Sequence, residues 1–175
     1  MPTNLLKSYS NLLEILHLAE PKRIISLKSV FERDIENNTD FKFNQKQIWP
    51  MKGEEPAMQL LFRHLTTREF EETQEDGKVI KRRTFDYQRS ERLHWIRFHI
   101  EKRTLDHMEW FSVDERVREK NVTRTYILDN NQRYVIILEL QRTKTDYTLI
   151  TAYQLEPRNF LKIKNKAKRK LKDLL

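Results

Sequence analysis

The sequence predicts an α+β fold: a helix packed on a small antiparallel β-meander, preceded by an N-terminal helical extension and closed by a basic C-terminal helix. Three observations predict it. Residues 85–103, FDYQRSERLHWIRFHIEKR, set Leu93, Ile96 and Ile100 at i, i+3 and i+7, the apolar stripe of an amphipathic helix. Four runs of strand character follow at 108–114, 122–129, 132–141 and 147–155. The chain then closes on RNFLKIKNKAKRKLKDLL, where Phe160, Ile163, Ala167, Leu171 and Leu174 recur at helical spacing among lysines. Helices first and consecutive strands afterwards are the pattern of an α+β domain.

Each element has a local warrant. Residues 4–19 read as a helix with Leu5, Leu6, Leu12, Leu13 and Leu16 on its apolar side, and Pro21 ends it or starts the next element. The run SLKSVFERDIENN predicts a second helix with Ser26 as its cap. TDFKFNQKQIWPMKGEEP is polar and loop-like, and EPAMQLLFRHL is a short helix. From Thr66 onward the chain predicts a hairpin whose arms meet at Asp76-Gly77, a strong two-residue turn signal. Asn130-Asn131 joins the middle pair of meander strands, since Asn tolerates the positive φ of a type I′ turn. The domain organisation expected is an extension over 1–53 and an α+β domain over 54–175.

Composition narrows the chemistry. The 175 residues include no cysteine, which removes disulfides, thiolate zinc sites and cysteine nucleophiles, and two glycines, too few for a Gly-rich phosphate loop. His17, His64, His94 and His107 show no ligand spacing, and His94 and His99 are five apart, so no metal site is expected, and no cofactor. No apolar run approaches the roughly 20 residues of a membrane-spanning helix. The amphipathic, acid-bearing start is not a signal-peptide pattern, so a cytoplasmic location with no membrane partner is expected. Of the net +8, residues 157–175 carry +7, from eight Lys and Arg against Asp173, which leaves the rest of the chain near neutral. Such a block faces a polyanion or solvent. Nucleic acid is the polyanion expected, with Lys162, Lys164, Lys166, Lys168 and Arg169 as contacts.

Register carries the site. A two-residue Asn-Asn turn sets Asp129 opposite Gln132, Ile127 opposite Tyr134 and Thr125 opposite Ile136. One face then runs to Leu138 and Leu140 as core, while the other carries Arg124, Tyr126, Arg133, Val135, Ile137 and Glu139. A five-residue loop over 142–146 sets Ile137 opposite Thr151 and Val135 opposite Tyr153, and so gathers both hydroxyls with Arg124, Tyr126 and Glu139. A four-residue loop flips the parity and turns Thr151 into the core. The odd loop is expected, because each hydroxyl left unpaired in the core costs about 1–3 kcal/mol. The gathered face is expected to open onto a shallow, basic-rimmed cleft. On the helix, Arg92, Trp95, His99 and Arg103 follow one another at i, i+3, i+7 and i+11, which holds Arg92 and His99 at the rim of the sheet.

The motifs RSERLHWIRFHIE, RTYILDNNQRYVIILE and DYTLITAYQLEP, in that order, resemble the phage-associated nucleases of the barnase, EndoU, colicin and RelE class over about residues 85–160. The resemblance implies a helix-plus-antiparallel-sheet fold and RNA cleavage. Carried over by position, it points to Arg92, Arg124, Tyr126, Glu139, Thr151 and Tyr153; His99 is a departure from its pattern. Metal-free cleavage by 2′-OH attack needs a base, an acid and cations for the phosphorane charge. Arg92 and Arg124 suit the phosphate, Glu139 or His99 the base, and His99 the acid. Thr151 and Tyr153 suit phosphate oxygens, and Tyr126 a phosphate or a base stack. An ordinary cross-strand pair of Arg124 with Glu139 is the competing account. The functions expected are a phage- or toxin-type endoribonuclease, a noncatalytic nucleic-acid-binding module, or a mobile-element accessory protein that meets an inhibitor or other protein partner through residues 1–50.

Overall fold

A computed structural model describes residues 3–102 and 105–175. Among the described residues, five α-helices and eight strands form one α+β fold, with six strands in a mixed sheet and two in a separate hairpin. The meander forms as expected: β5 (Met108–Val117), β6 (Lys120–Asp129), β7 (Tyr134–Leu140) and β8 (Tyr147–Gln154) pair antiparallel in succession. The separate hairpin is β3 (Thr67–Thr73) with β4 (Val79–Phe85); Thr73 opposes Val79 and the Gln74 amide donates to the Lys78 carbonyl, so the turn is longer than the two residues expected, with Gly77 in it at φ 80°.

Residues 1–53 do more than extend the domain. The stretch expected as a loop holds β1 (Lys42–Phe43) and β2 (Lys46–Trp49), joined by Asn44 and Gln45 at φ 49° and 63°, the two left-handed residues of a tight hairpin. β2 then pairs parallel with β8, so the sheet order is β1-β2-β8-β7-β6-β5. Over 4–19 no α-helix forms. A 3₁₀ turn at Thr3–Leu6 leads into irregular chain held by specific bonds: Asn4 Oδ1 accepts the Glu14 amide at 2.7 Å, and the Leu13 amide donates to the Glu91 carbonyl at 2.8 Å. The Ser8-Tyr9-Ser10-Asn11 run competes with helix through its short polar side chains. Helix α1 (Glu20–Phe31) starts about two turns earlier than expected, with Pro21 in its first turn. Ser26 lies mid-helix, buried, and accepts from Asn4 Nδ2 at 2.8 Å instead of capping. The short helix α2 (Ala57–Thr66) is where the sequence placed it.

The helix expected over 85–103 is interrupted. Asp86 caps α3 (Tyr87–Ser90) by accepting the Arg89 amide at 3.1 Å. Tighter i→i+3 bonds carry the chain through 91–94 to α4 (Trp95–Glu101), which buries Trp95, Ile96 and Ile100.

Two departures from the expected ladder decide the faces. The β6–β7 connection is four residues, with Asp129 Oδ1 accepting the amides of Asn131 and Gln132 and Arg133 at φ 49°. Ile127 therefore opposes Ile136 rather than Tyr134, a shift of two that preserves which side chains share a face. At β7–β8, Leu140 rather than Gln141 opposes Tyr147, so the loop is six residues and the parity begins inverted. A β-bulge at Ile150 inverts it back: Leu138 faces Leu149, then Ile137 faces Thr151. The bulge lets Tyr147 and Leu149 bury on one side while Thr151 and Tyr153 point to the other.

The sheet thus has a core on each side. The larger packs α1, α2 and α4 over Ile127, Tyr134, Ile136, Leu138, Tyr147 and Leu149, and includes Leu13 and Ile15. The smaller lies under α5 (Pro157–Ala167), where Ile163 and Phe160 cover Phe111, Tyr126, Val135 and Ile137. The helix expected to carry Leu171 and Leu174 ends at Ala167, and beyond it the chain passes round the β5 edge: the Leu171 amide donates to the Ser112 carbonyl at 2.7 Å, and the Leu175 carbonyl accepts from Thr125 Oγ1 at 2.7 Å on the opposite face. The wrap occupies an edge that would otherwise present unpaired backbone groups. Among the described residues no helix is long and apolar enough to cross a membrane.

Candidate functional site

Arg124, Tyr126, Glu139, Thr151 and Tyr153 share one sheet face, as the expected parity requires. The face is not the open cleft expected. Helix α5 covers it, and the polar groups beneath are engaged with one another. Tyr126 is fully buried; its hydroxyl donates to Glu115 Oε1 at 2.6 Å, and Lys166 Nζ lies 3.0 Å from the same hydroxyl and 2.8 Å from Glu115. Burial and the bond to Glu115 raise the Tyr126 pKa. Burial opposes charge on Glu115, but Lys166, Tyr126 and Arg124 outweigh it and its carboxyl titrates below the ordinary range. Arg124 pairs with Glu139 across the strands at 3.3 Å and approaches Glu115 at 3.9 Å. The Tyr153 ring lies under the Arg89 guanidinium at 5.0 Å, and burial raises its phenol pKa.

Thr151 is the exception in this network, because its buried Oγ1 has no hydrogen-bond partner. An unpaired buried hydroxyl is a cost that an apolar group of the same shape removes. Thr151→Val is expected to raise stability by about 1 kcal/mol, or about 2–4 °C in Tm for a chain of this size. A drop in Tm measured by thermal unfolding would show that the hydroxyl is satisfied in solution.

His99 and Arg92 belong to the other side of the sheet, which corrects the expectation of a single constellation. The reason is parity: the α4 stripe packs on the odd-numbered face of β6, where Asp129 points. His99 is buried with Nδ1 at 2.7 Å from the Trp95 carbonyl and Nε2 at 2.9 Å from Asp129 Oδ2. Both ring nitrogens therefore face acceptors, and neither is presented to a substrate. Tyr9 donates to the same Asp129 oxygen at 2.7 Å and stacks on Phe98 at 4.2 Å. Arg92 is buried too; it donates to the Gln88 carbonyl at 2.9 Å, pairs with Glu91 and stacks 5.3 Å from the Trp95 ring. Arg103 lies outside the described residues.

The tail also divides. Lys166 is committed to Glu115 and Lys164 to Glu109 and Asn130, so two of the five expected nucleic-acid contacts point inward and dock the helix. Lys162, Lys168 and Arg169 are exposed, and so are Arg158, Lys170 and Lys172. No family model, no curated protein and no solved structure matches this chain. Its function has to be argued from its own surface and chemistry. Among the described residues, no three His, Asp or Glu side chains cluster as a metal site would require.

Sequence periodicity missed two participants. Tyr9 sits in a stretch expected as helix, where no pattern aims it at Asp129. Asp129 itself reads as a turn residue, and its second role, holding His99, comes from an element 30 residues away.

Proposed function

We propose that the protein is an RNA-binding module that contacts the phosphate backbone through the outward face of α5 and the tail behind it. One observation carries this. Arg158, Lys162, Lys168, Arg169, Lys170 and Lys172 are exposed and, among the described residues, none forms a salt bridge, while Lys164, Lys166 and Ile163 hold the helix to the sheet. Arg158 and Lys162 stand on the docked helix and Lys168, Arg169, Lys170 and Lys172 on the chain behind it; together they present a cationic surface to a polyanion, and phosphate contacts there release counterions. RNA is the preferred polyanion because of the resemblance over 85–160.

A metal-independent endoribonuclease acting by 2′-OH attack is the second reading. Its support is the shared face of Arg124, Glu139 and Thr151. Against it stand the engaged acids beneath α5 and the burial of His99 on the far side.

Both readings are tested in one preparation. Binding to single-stranded RNA in EDTA, measured across a salt series, is expected to fall linearly in log–log form, with a slope of about −0.7 per phosphate contacted. No binding at low salt overturns the proposal. RNA fragments that appear in EDTA and vanish with Arg124→Ala would replace it with the enzyme.

A further inference from the structure

Helix α5 covers one end of its sheet face and leaves the other end uncovered. At that end the ladder sets a row across four strands: Trp49 beside Thr148, Thr148 beside Glu139, and Glu139 beside Arg124. A groove of about 720 Å³ runs between Trp49, Pro50, Gln141 and Thr148, and a second hollow of about 460 Å³ shares Gln141 and Thr148 with it and continues to Lys120. Trp49 is 49% exposed, whereas its strand neighbour Ile48 is buried at 3%. The rim carries Lys52, Lys120, Arg142 and Lys144, all exposed and without an acidic partner among the described residues. The acids of these two hollows are Asp146 and Glu139, and Glu139 is paired with Arg124. The charge left over is positive.

We infer that this groove holds an unpaired nucleotide of single-stranded RNA, with the Trp49 indole stacked on the base. The inference rests on the RNA-binding reading and adds to it the class of RNA and a second contact surface. Each component matches a nucleotide. A half-exposed indole offers a π-face to any base, and stacking of this kind tolerates sequence. Gln141 Nε2 reaches Thr148 Oγ1 only at 3.4 Å, so the amide's donors and its carbonyl can turn to a base edge. The rim cations lie where the flanking phosphates pass. A paired base cannot reach the indole, so the site selects single strands over duplex.

The test compares a short fluorescein-labelled oligouridine with an RNA duplex of the same length, by anisotropy, on the full chain. Trp49→Ala is expected to weaken oligouridine binding about ten-fold, to leave duplex binding unchanged, and to keep the salt slope, since no charge is lost. Trp49→Phe is expected to restore most of the affinity, which separates stacking from misfolding. Trp49→Ala binding oligouridine like wild type overturns this inference alone, provided the salt-dependent binding persists. An equal loss for both RNAs overturns it as well, because no base-specific contact would then exist. No RNA binding by wild type overturns the RNA-binding reading and this site together. Trp49 burial on a protein partner without any response to RNA assigns the groove to that partner and rejects the inference.

Discussion

Asp129→Ala is expected to cost about 3–5 kcal/mol of stability, since it leaves at least two side-chain donors to a buried carboxylate unpaired at about 1–3 kcal/mol each. Asp129 is fully buried and is the acceptor for four donors: His99 Nε2, the Tyr9 hydroxyl, and the amides of Asn131 and Gln132. Its loss strands a buried imidazole and a phenol, frees the N-terminal segment that Tyr9 anchors, and removes the cap of the β6–β7 connection. Asp129→Asn keeps an oxygen for the amides but turns an NH₂ toward donors, so it is expected to cost less than alanine and still to destabilise. Urea unfolding measures both. The same bonds predict a pH dependence. Burial opposes charge on Asp129, yet His99, the Gln132 amide and Tyr9 hold its carboxyl below the ordinary aspartate value. A carboxyl whose folded pKa is depressed contributes stability fully present above its unfolded pKa of about 3.9 and lost as pH falls through the folded value. The gap between wild type and Asp129→Ala should therefore narrow below about pH 4. A cost under about 1 kcal/mol at neutral pH, or a gap indifferent to acid, would mean that the cluster is not the anchor described.

Reversing Lys162, Lys168, Arg169 and Lys170 together to Glu is expected to weaken binding to single-stranded RNA by at least about a hundred-fold at about 0.1 M salt, and to flatten the salt slope. The substitutions spare Phe160 and Ile163, which pack on the sheet, and Lys164 and Lys166, which pair with Glu109 and Glu115. Thermal unfolding should therefore move by no more than a few degrees. Less than a three-fold change in affinity with the fold intact would exclude the tail as the contact. The complementary variant is Lys166→Met. It removes the nearer cation of Glu115 and the one beside the Tyr126 hydroxyl, leaving Arg124 at 3.9 Å from Glu115, so it should lower stability more than RNA affinity.

The strands of the meander, the β3–β4 hairpin, α2 and the basic final helix as far as Ala167 were legible from the sequence alone, because each writes its period into a contiguous run; that the chain beyond Ala167 leaves the helix was not. Even the odd–even sorting of Arg124 and Tyr126 against Thr125 and Ile127 follows from alternation within one strand, and Glu139 joins the first pair through the pairing of β6 with β7. Thr151 and Tyr153 reached the expected face by a different route: a six-residue loop inverts the parity and the Ile150 bulge restores it. No local signal marks that bulge, since its driving force is the burial of Tyr147 and Leu149 on one core and of Leu155 on the other. The hairpin of β1 and β2 was hidden for a related reason. Strands of two and four residues are too short to show a period, and they form because Phe43 and Ile48 bury and β2 finds the β8 edge. The candidate site divides along the same line. Sequence determined which residues have the chemistry and which strand face each occupies. Only the tertiary structure decided that α5 folds back over Tyr126, that α4 carries His99 to the opposite side, and that Trp49 is left at the open end, because coverage of a face depends on contacts between elements far apart in the chain.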